Sequence, residues 1–417
     1  MHLLIAGGRE LSGTVAVEGA KNAVLPACAA SLLTDEPVIV HRVPPLRDVR
    51  TIIAVIRELG KEVEYSDGTV TIRHGRPLQP NPSREYVEQM RASFLVLGPL
   101  LARLGRAEVP LPGGCTIGPR PVDYHLQGLR ALGAAVREEG DGTIVLTAEK
   151  LRGTRFRLPY PSVGATEQLL MAAALADGDT TIENASREPE VLDLVELLRG
   201  MGARIETSAD GFNVEGVPAL HGTEHTVIPD RLEAGTYLIA GAITRGRVTV
   251  ADVRPEHLAS LAQVLGEAGA RVETSADAVT VEGGGRLRPV AVRTAPYPGF
   301  PTDLQPPLVS LLSLAEGEST VQDTVFPTRF GYVDELIRMG ARIAVAGGTA
   351  RITGVKGLHG ADLVAPDIRA GAALVLAGLA ARGESRIAGL DQLDRGYADL
   401  EGKLTRLGAK IERRDVQ

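Results

Sequence analysis

Short runs of alternating apolar and polar residues recur along this chain in pairs. Ala203-Arg204-Ile205-Glu206-Thr207 is followed by Ser208-Ala209-Asp210-Gly211 and then by Phe212-Asn213-Val214-Glu215. A period of two on both sides of a glycine-containing turn predicts a hairpin. An apolar residue and a glycine stand just before each such region, at Leu59-Gly60, Leu132-Gly133, Met201-Gly202, Ala268-Gly269, Met339-Gly340 and Leu407-Gly408. These glycines are 73, 69, 67, 71 and 68 residues apart, so one unit occurs six times. Each is placed to end a helix in the left-handed conformation, which glycine adopts without a Cβ clash.

Upstream of each cap the period changes to that of a helix. From Pro189 to Met201, Val191, Leu192, Val195 and Leu198 fall on one face. A second, more apolar helix precedes that one and ends in its own glycine, at Gly105, Gly178, Gly246, Gly317 and Gly383, with Thr34-Asp35-Glu36-Pro37 in the first copy. Each unit therefore reads strand, helix, strand, helix, hairpin (βαβαββ), an α/β fold. A nearly all-apolar helix must be buried, which predicts helices inside and sheets outside. Six units divide into two domains of three: residues 20–228, carrying the loop around Cys115, and residues 1–19 with 229–417. By pattern alone the run Gly13 to Val17 is able to pair with either.

Length and composition agree with two domains, since 417 residues exceed one ordinary core and the 44% hydrophobic and 23% charged shares are those of a globular protein. A formal charge of −7 excludes a general nucleic-acid binder, which needs an excess of cations along a phosphate backbone. The apolar run at the N-terminus is too short for a signal peptide, and Gly371 to Ala381 falls short of a membrane span. A cytoplasmic location is the expectation. Two cysteines form neither a disulfide framework nor a CxxC metal pattern. Cys28, inside Ala27-Cys28-Ala29-Ala30, reads as a small buried hydrophobe.

Any anionic ligand must then meet a local cluster of cations, and the repeat supplies one. Fourteen residues before the glycine that ends each first helix stand Arg91, Gly164, Leu232, Asp303 and Arg369, with Lys21 at the same place in the first copy. Thirteen before each second cap stand Arg47, Arg120, Pro189, Glu256, Pro327 and Arg395. These positions are predicted to be the first turns of helices, where the partial positive charge and unpaired N–H groups disfavour Lys and Arg and welcome anions. A recurring set of cations there makes sense around a bound anion. The second copy also carries extra residues, 28 from Gly105 to Gly133 against 23 to 25 in the other copies bounded by glycines. The surplus, Leu111 to Pro121, is rich in Gly and Pro and holds Cys115 five residues before Arg120, a cation that would lower the thiol's pKa and make it reactive.

Together these residues resemble the enolpyruvyl transferases. The likeness runs nearly end to end and rests on Gly19-Ala20-Lys21-Asn22, Met90-Arg91-Ala92-Ser93, the loop from Pro112 to Asp123, Ser162-Val163-Gly164-Ala165-Thr166, Arg187-Glu188-Pro189-Glu190, Phe300-Pro301-Thr302-Asp303, Asp367-Ile368-Arg369 and Asp394-Arg395-Gly396-Tyr397. It implies a pair of inside-out α/β barrels with the active site in the cleft between them. It further implies transfer of the enolpyruvyl group of phosphoenolpyruvate to the 3′-hydroxyl of UDP-N-acetylglucosamine, the first committed step of peptidoglycan synthesis, without metal or organic cofactor. The Cys115 loop sets this branch apart from the related shikimate-pathway synthase.

The resemblance places phosphoenolpyruvate against Lys21, Asn22, Arg120, Arg369 and Arg395. It places the nucleotide sugar against Asn22 and Arg91, the run Arg120, Pro121, Val122, Asp123 and Tyr124, and the run Tyr160, Pro161, Ser162, Val163 and Gly164, with Asp303 and Val325. Two positions depart from the family pattern: Tyr160, where some members place a lysine, and Tyr124, where an aliphatic residue is common. Cys115 is implied as the acid that protonates C3 of phosphoenolpyruvate and as the target of the epoxide fosfomycin. Asp303 is read as the base, kept ionised at a helix N-terminus, while Lys21, Arg120, Arg369 and Arg395 stabilise charge on phosphate and carboxylate. Two alternatives stay open at this stage: the sister enzyme acting on shikimate 3-phosphate, and an inactive homologue that binds a nucleotide sugar as a regulator.

Overall fold

All six glycines placed at the ends of second helices have left-handed φ: Gly60 (120°), Gly133 (97°), Gly202 (95°), Gly269 (101°), Gly340 (93°) and Gly408 (99°). The computed structural model describes residues 1–113 and 122–415. Among the glycines that end first helices, Gly246 differs in cause. Its φ is not positive, and a Cβ there would lie 1.8 Å from the carbonyl oxygen of Leu11, so close backbone approach excludes a side chain.

Among the described residues six sheets accompany the helices, and the chain divides into two compact units, one holding residues 19–228 and the other 1–18 with 229–417, leaving aside the undescribed stretch. The third copy shows the unit without interruption. Strand Arg155–Arg157 leads through helix Val163–Ala173 to strand Asp179–Glu183, which is parallel to it. Helix Pro189–Gly200 then leads to the hairpin Arg204–Thr207 and Gly211–Glu215, with Ile205 opposite Val214.

Three sheets are completed by distant strands. Ser12–Ala16 pairs in parallel with Arg247–Ala251 and so supplies the first strand of the fourth copy. His2–Ala6 lies between Glu384–Ala388 and Lys410–Arg414 and so supplies the last strand of the sixth. Thr223–Thr226 pairs with Val38–His41 and opens the first copy. In the second copy three strands are described, and residues 84–87 before its apolar segment form a short helix.

The first helices are buried nearly all round, as their composition requires. Arg231–Ile243, Gln305–Leu312 and Ile368–Ala380 pack on one another in the unit of residues 1–18 and 229–417, each with almost every residue inaccessible. In the other unit Lys21–Ala30 and Val163–Ala173 are buried in the same way. No helix among the described residues is long and apolar enough to cross a membrane.

The second helices depart from expectation in two copies. Arg47 and Pro189 do begin helices. In the fifth and sixth copies the helices start later, at Val333 and Leu400, and Arg395 lies in a turn after the short helix Leu390–Leu393 rather than in a first turn. Gly396 explains the turn. A Cβ there would sit 2.5 Å from Ile368 Cγ2, so the backbone closes onto the neighbouring helix where a regular first turn would stand away from it.

Candidate active site

The residues singled out at first-helix starts do occupy them. Lys21 is the first residue of Lys21–Ala30 and Arg91 that of the 3-10 segment Arg91–Val96. Gly164 and Arg369 are second in their helices, and Asp303 lies in the 3-10 turn Thr302–Leu304. Asp367 caps Ile368–Ala380, accepting from the N–H groups of Arg369 (2.8 Å) and Ala370 (3.0 Å), and Ser162 caps Val163–Ala173 through the N–H of Ala165 (3.4 Å). The segments that start with Lys21 and Arg91 and the one holding Asp303 have no side-chain cap.

In the unit of residues 19–228, Lys21 is buried and its Nζ donates to Asp48 Oδ2 at 3.1 Å; Asp48 is itself in the first turn of Arg47–Glu58. Asn22 beside it is half-buried. His125 gathers the residues expected around the nucleotide sugar. Its ring meets Phe94 edge-on at 5.5 Å, its Nδ1 is hydrogen-bonded to Gln168 Oε1, and a Cβ on Gly164 would come within 3.1 Å of its Cε1. The segment begun by Arg91, the helix start at Val122, Asp123 and Tyr124, and the turn of Tyr160, Pro161, Ser162, Val163 and Gly164 are thereby held together. Val122 is buried, Asp123 exposed, and Tyr124, Tyr160 and residues 161–164 half-buried. Cys115, Arg120 and Pro121 lie outside the described residues.

In the other unit Asp303 is held by two cations. Arg369 Nε donates to Oδ2 at 3.1 Å and Arg329 Nη1 to Oδ1 at 2.6 Å. Both arginines are buried, at 2% and 5% exposure. Burial works against their charge, yet each guanidinium is held above its ordinary pKa, Arg369 by Tyr397, Asp303 and Asp230, and Arg329 by Asp303 and Asp367. Arg369 also stacks over the ring of Tyr397 at 5.3 Å. Two of their donors, Arg329 Nε and Arg369 Nη1, are buried without a hydrogen-bond partner among the described residues, a costly condition that an arriving anion relieves.

Val325 is brought to the same place by Asp323. That buried carboxylate accepts from the N–H of Val325 (3.0 Å) and from Thr302 Oγ1 (2.7 Å), the residue before Asp303. Arg395 Nη1 donates to Gln392 Oε1 at 3.2 Å. Among the described residues no cluster of His, Cys, Asp and Glu has the makings of a metal site.

Two residues of this arrangement escaped the sequence reading, His125 and Arg329. Arg329 is not at a helix start; its signal was the loop Pro327-Thr328-Arg329-Phe330-Gly331, where Pro and Gly bracket a cation. His125 had no signal beyond its place two residues after Asp123.

The chain is similar to known proteins over its whole length. Residues 5–404 match the family model described as EPSP synthase (3-phosphoshikimate 1-carboxyvinyltransferase). A protein of Halalkalibacterium halodurans named UDP-N-acetylglucosamine 1-carboxyvinyltransferase 1 is 49% identical over 99% of this chain and 94% of its own. One of Kosmotoga olearia named UDP-N-acetylglucosamine 1-carboxyvinyltransferase is 47% identical over 99% and 98%. Among solved structures, the enolpyruvyl transferase NikO from Streptomyces tendae superposes with a TM-score of 0.91 at 30% identity, covering 99% of this chain and 98% of NikO. The EPSP synthase of Acinetobacter baumannii shares the fold alone, at a TM-score of 0.74 and 19% identity over 99% of this chain and all of that one. With a family match across nearly all its residues and relatives close to half identical, this chain belongs to the EPSP synthase family of carboxyvinyltransferases.

Proposed function

We propose that the chain transfers the enolpyruvyl group of phosphoenolpyruvate to the 3′-hydroxyl of UDP-N-acetylglucosamine and releases phosphate, a step of peptidoglycan synthesis in the cytoplasm. The observation that carries the reading is the Asp303 carboxylate between two buried arginines with unfilled donors. The relatives close to half identical bear the name of this activity. In this reading each unit is an inside-out barrel, and Lys21, Asn22, Arg91 and Arg120 of the one serve the same reaction as Asp303, Arg329, Arg369 and Arg395 of the other.

The reaction is an addition followed by an elimination. The 3′-oxygen attacks C2 of phosphoenolpyruvate, losing its proton to Asp303, while C3 gains a proton from the Cys115 thiol. The product is a tetrahedral ketal. The Cys115 thiolate then takes a proton back from C3, the C2–O bond to phosphate breaks, and the enol ether double bond forms as phosphate departs, taking the proton held by Asp303. Arg329 Nε and Arg369 Nη1 are donors suited to the substrate carboxylate, which offers an oxygen to each of two charged guanidinium groups. As that carboxylate takes hold of the arginines it draws them away from Asp303, which strengthens Asp303 as a base when the acceptor arrives. Lys21, Arg120 and Arg395 are assigned to the phosphate, whose charge grows as the C–O bond breaks. The segments gathered by His125 are assigned to the nucleotide sugar. Small-molecule substrates are the only partners that the reading requires.

Phosphate release from phosphoenolpyruvate, measured with UDP-N-acetylglucosamine as acceptor, tests this directly. Turnover supports the assignment and also excludes a purely regulatory homologue; no release at any acceptor concentration refutes it.

A further inference from the structure

Arg395 projects from a turn, and a turn holds a side chain in place only as well as it is itself held. Helix Leu390–Leu393 is a single turn long, and the next helix begins at Leu400. Between them, Asp394 is gripped from the far end of the sequence. Arg413 Nη1 donates to Asp394 Oδ2 at 3.0 Å while Nη2 bonds Oδ1, a two-pronged fork, and Arg413 Nε also bonds Glu401 at the start of the following helix. Arg413 lies on strand Lys410–Arg414, opposite Leu3 of the N-terminal strand. The two carboxylates keep its guanidinium well above its ordinary pKa.

We infer that Arg413 is a positioning residue for the reaction: through its fork on Asp394 it fixes the turn that presents Arg395 to the phosphate of phosphoenolpyruvate. Two further contacts fix the other side of the turn. Gly396 closes on Ile368, and Tyr397 lies beneath Arg369 with its hydroxyl 2.9 Å from Thr236 Oγ1. Asp394 adds a third point on the opposite side, and it is the residue adjacent to Arg395 in the chain. A planar fork constrains both position and direction, which a lysine's single ammonium does not. Without it the turn keeps its inner contacts but loses its outer one, and Arg395 drifts.

The inference rests on the phosphate-binding role proposed for Arg395, so the test includes that residue. Phosphate release is measured for Arg413→Gln, Arg413→Lys, Asp394→Asn and Arg395→Gln, varying each substrate in turn and recording the melting temperature. Misplacing a charged group by about 1 Å costs up to about 100-fold, so Arg413→Gln and Asp394→Asn are each expected to raise KM for phosphoenolpyruvate about 10-fold and to weaken product inhibition by phosphate. KM for the UDP-sugar should stay within about 2-fold, a split that a purely structural role does not produce. The double variant should be no worse than either single one, because both remove the same pair, and Arg413→Lys should recover only part of the loss. Unchanged phosphoenolpyruvate kinetics, or equal losses for both substrates that follow the melting temperature, would overturn the inference. If Arg395→Gln itself leaves phosphoenolpyruvate kinetics intact, the role of Arg395 fails first; if only Arg395→Gln is impaired, the fork alone is refuted. Should Arg413→Gln not fold, the isosteric Asp394→Asn decides.

Discussion

Arg369 reaches Asp303 with its Nε at 3.1 Å from Oδ2, two buried or half-buried opposite charges brought together from helix starts 66 residues apart. Each has a second partner, Tyr397 for the arginine and Arg329 for the aspartate. The contact is therefore part of a network, and removing one member leaves buried charge behind. That property shapes what substitutions at the site are expected to do.

Asp303→Asn keeps the shape and the burial but removes the proton acceptor. Turnover should fall by about 100-fold to 10,000-fold, the usual range for a lost general base. Phosphoenolpyruvate binding should weaken little, since both arginines remain and no longer share their charge with a carboxylate. Phosphate release together with calorimetric binding checks this, and retention of most of the turnover removes Asp303 as base.

Arg329→Ala should raise KM for phosphoenolpyruvate by about 100-fold, in line with deleting one preorganised donor from a charge-binding site. Its effect on KM for the UDP-sugar should be much smaller. Comparable changes for both substrates would place Arg329 in a structural role instead.

Cys115 is assigned from the sequence, and two variants separate its roles. Asp in its place is able to donate a proton if its pKa is raised in the site, yet it is a poor nucleophile toward an epoxide. Cys115→Asp should keep measurable turnover, best at mildly acid pH, and lose sensitivity to fosfomycin. Cys115→Ser should lose most turnover. Full activity in Cys115→Ser, or a fosfomycin adduct on another residue, contradicts the assignment.

Glu167 gives a prediction about stability and pH. Burial in helix Val163–Ala173, and secondarily the charge of Glu190, push its carboxyl well above the ordinary 4.5. A group whose pKa is raised on folding contributes stability in full below its unfolded value, and that contribution is lost as pH rises from 4.5 toward the higher folded value. Glu167→Gln resembles the protonated form and removes that dependence. Its melting temperature relative to the parent protein should rise from pH 5 to pH 8, by a few degrees if about 1 kcal/mol is recovered; a difference that is flat across this range refutes the protonated state.

Much of the architecture was legible because glycine leaves a mark that other residues cannot. Six glycines at a spacing of about 70 residues stand for six left-handed caps, since at Gly60 or Gly340 any side chain would be strained. Counting from the glycines that end the first helices, and from Asp35 in the first copy, located Lys21, Arg91, Asp303 and Arg369 at helix starts, because the distance from start to end of that helix is constant. The count from the second-helix caps misplaced Arg395, whose helix is broken by a turn that depends on the contact of Gly396 with Ile368, a relation between distant segments. Strand pairing was hidden for the same reason. Nothing local in Ser12–Ala16 or Thr223–Thr226 says that their partners lie more than 180 residues away. Arg329 was missed because it stands two residues after the repeat position, which is occupied by Pro327, although its burial and its hold on Asp303 make it as central as Arg369.

The central claim is the identity of the acceptor, and one assay addresses it: phosphate released from phosphoenolpyruvate in parallel reactions with UDP-N-acetylglucosamine and with shikimate 3-phosphate. The account predicts release that saturates with UDP-N-acetylglucosamine and none above background with shikimate 3-phosphate. Release with shikimate 3-phosphate, or with neither acceptor, would contradict it.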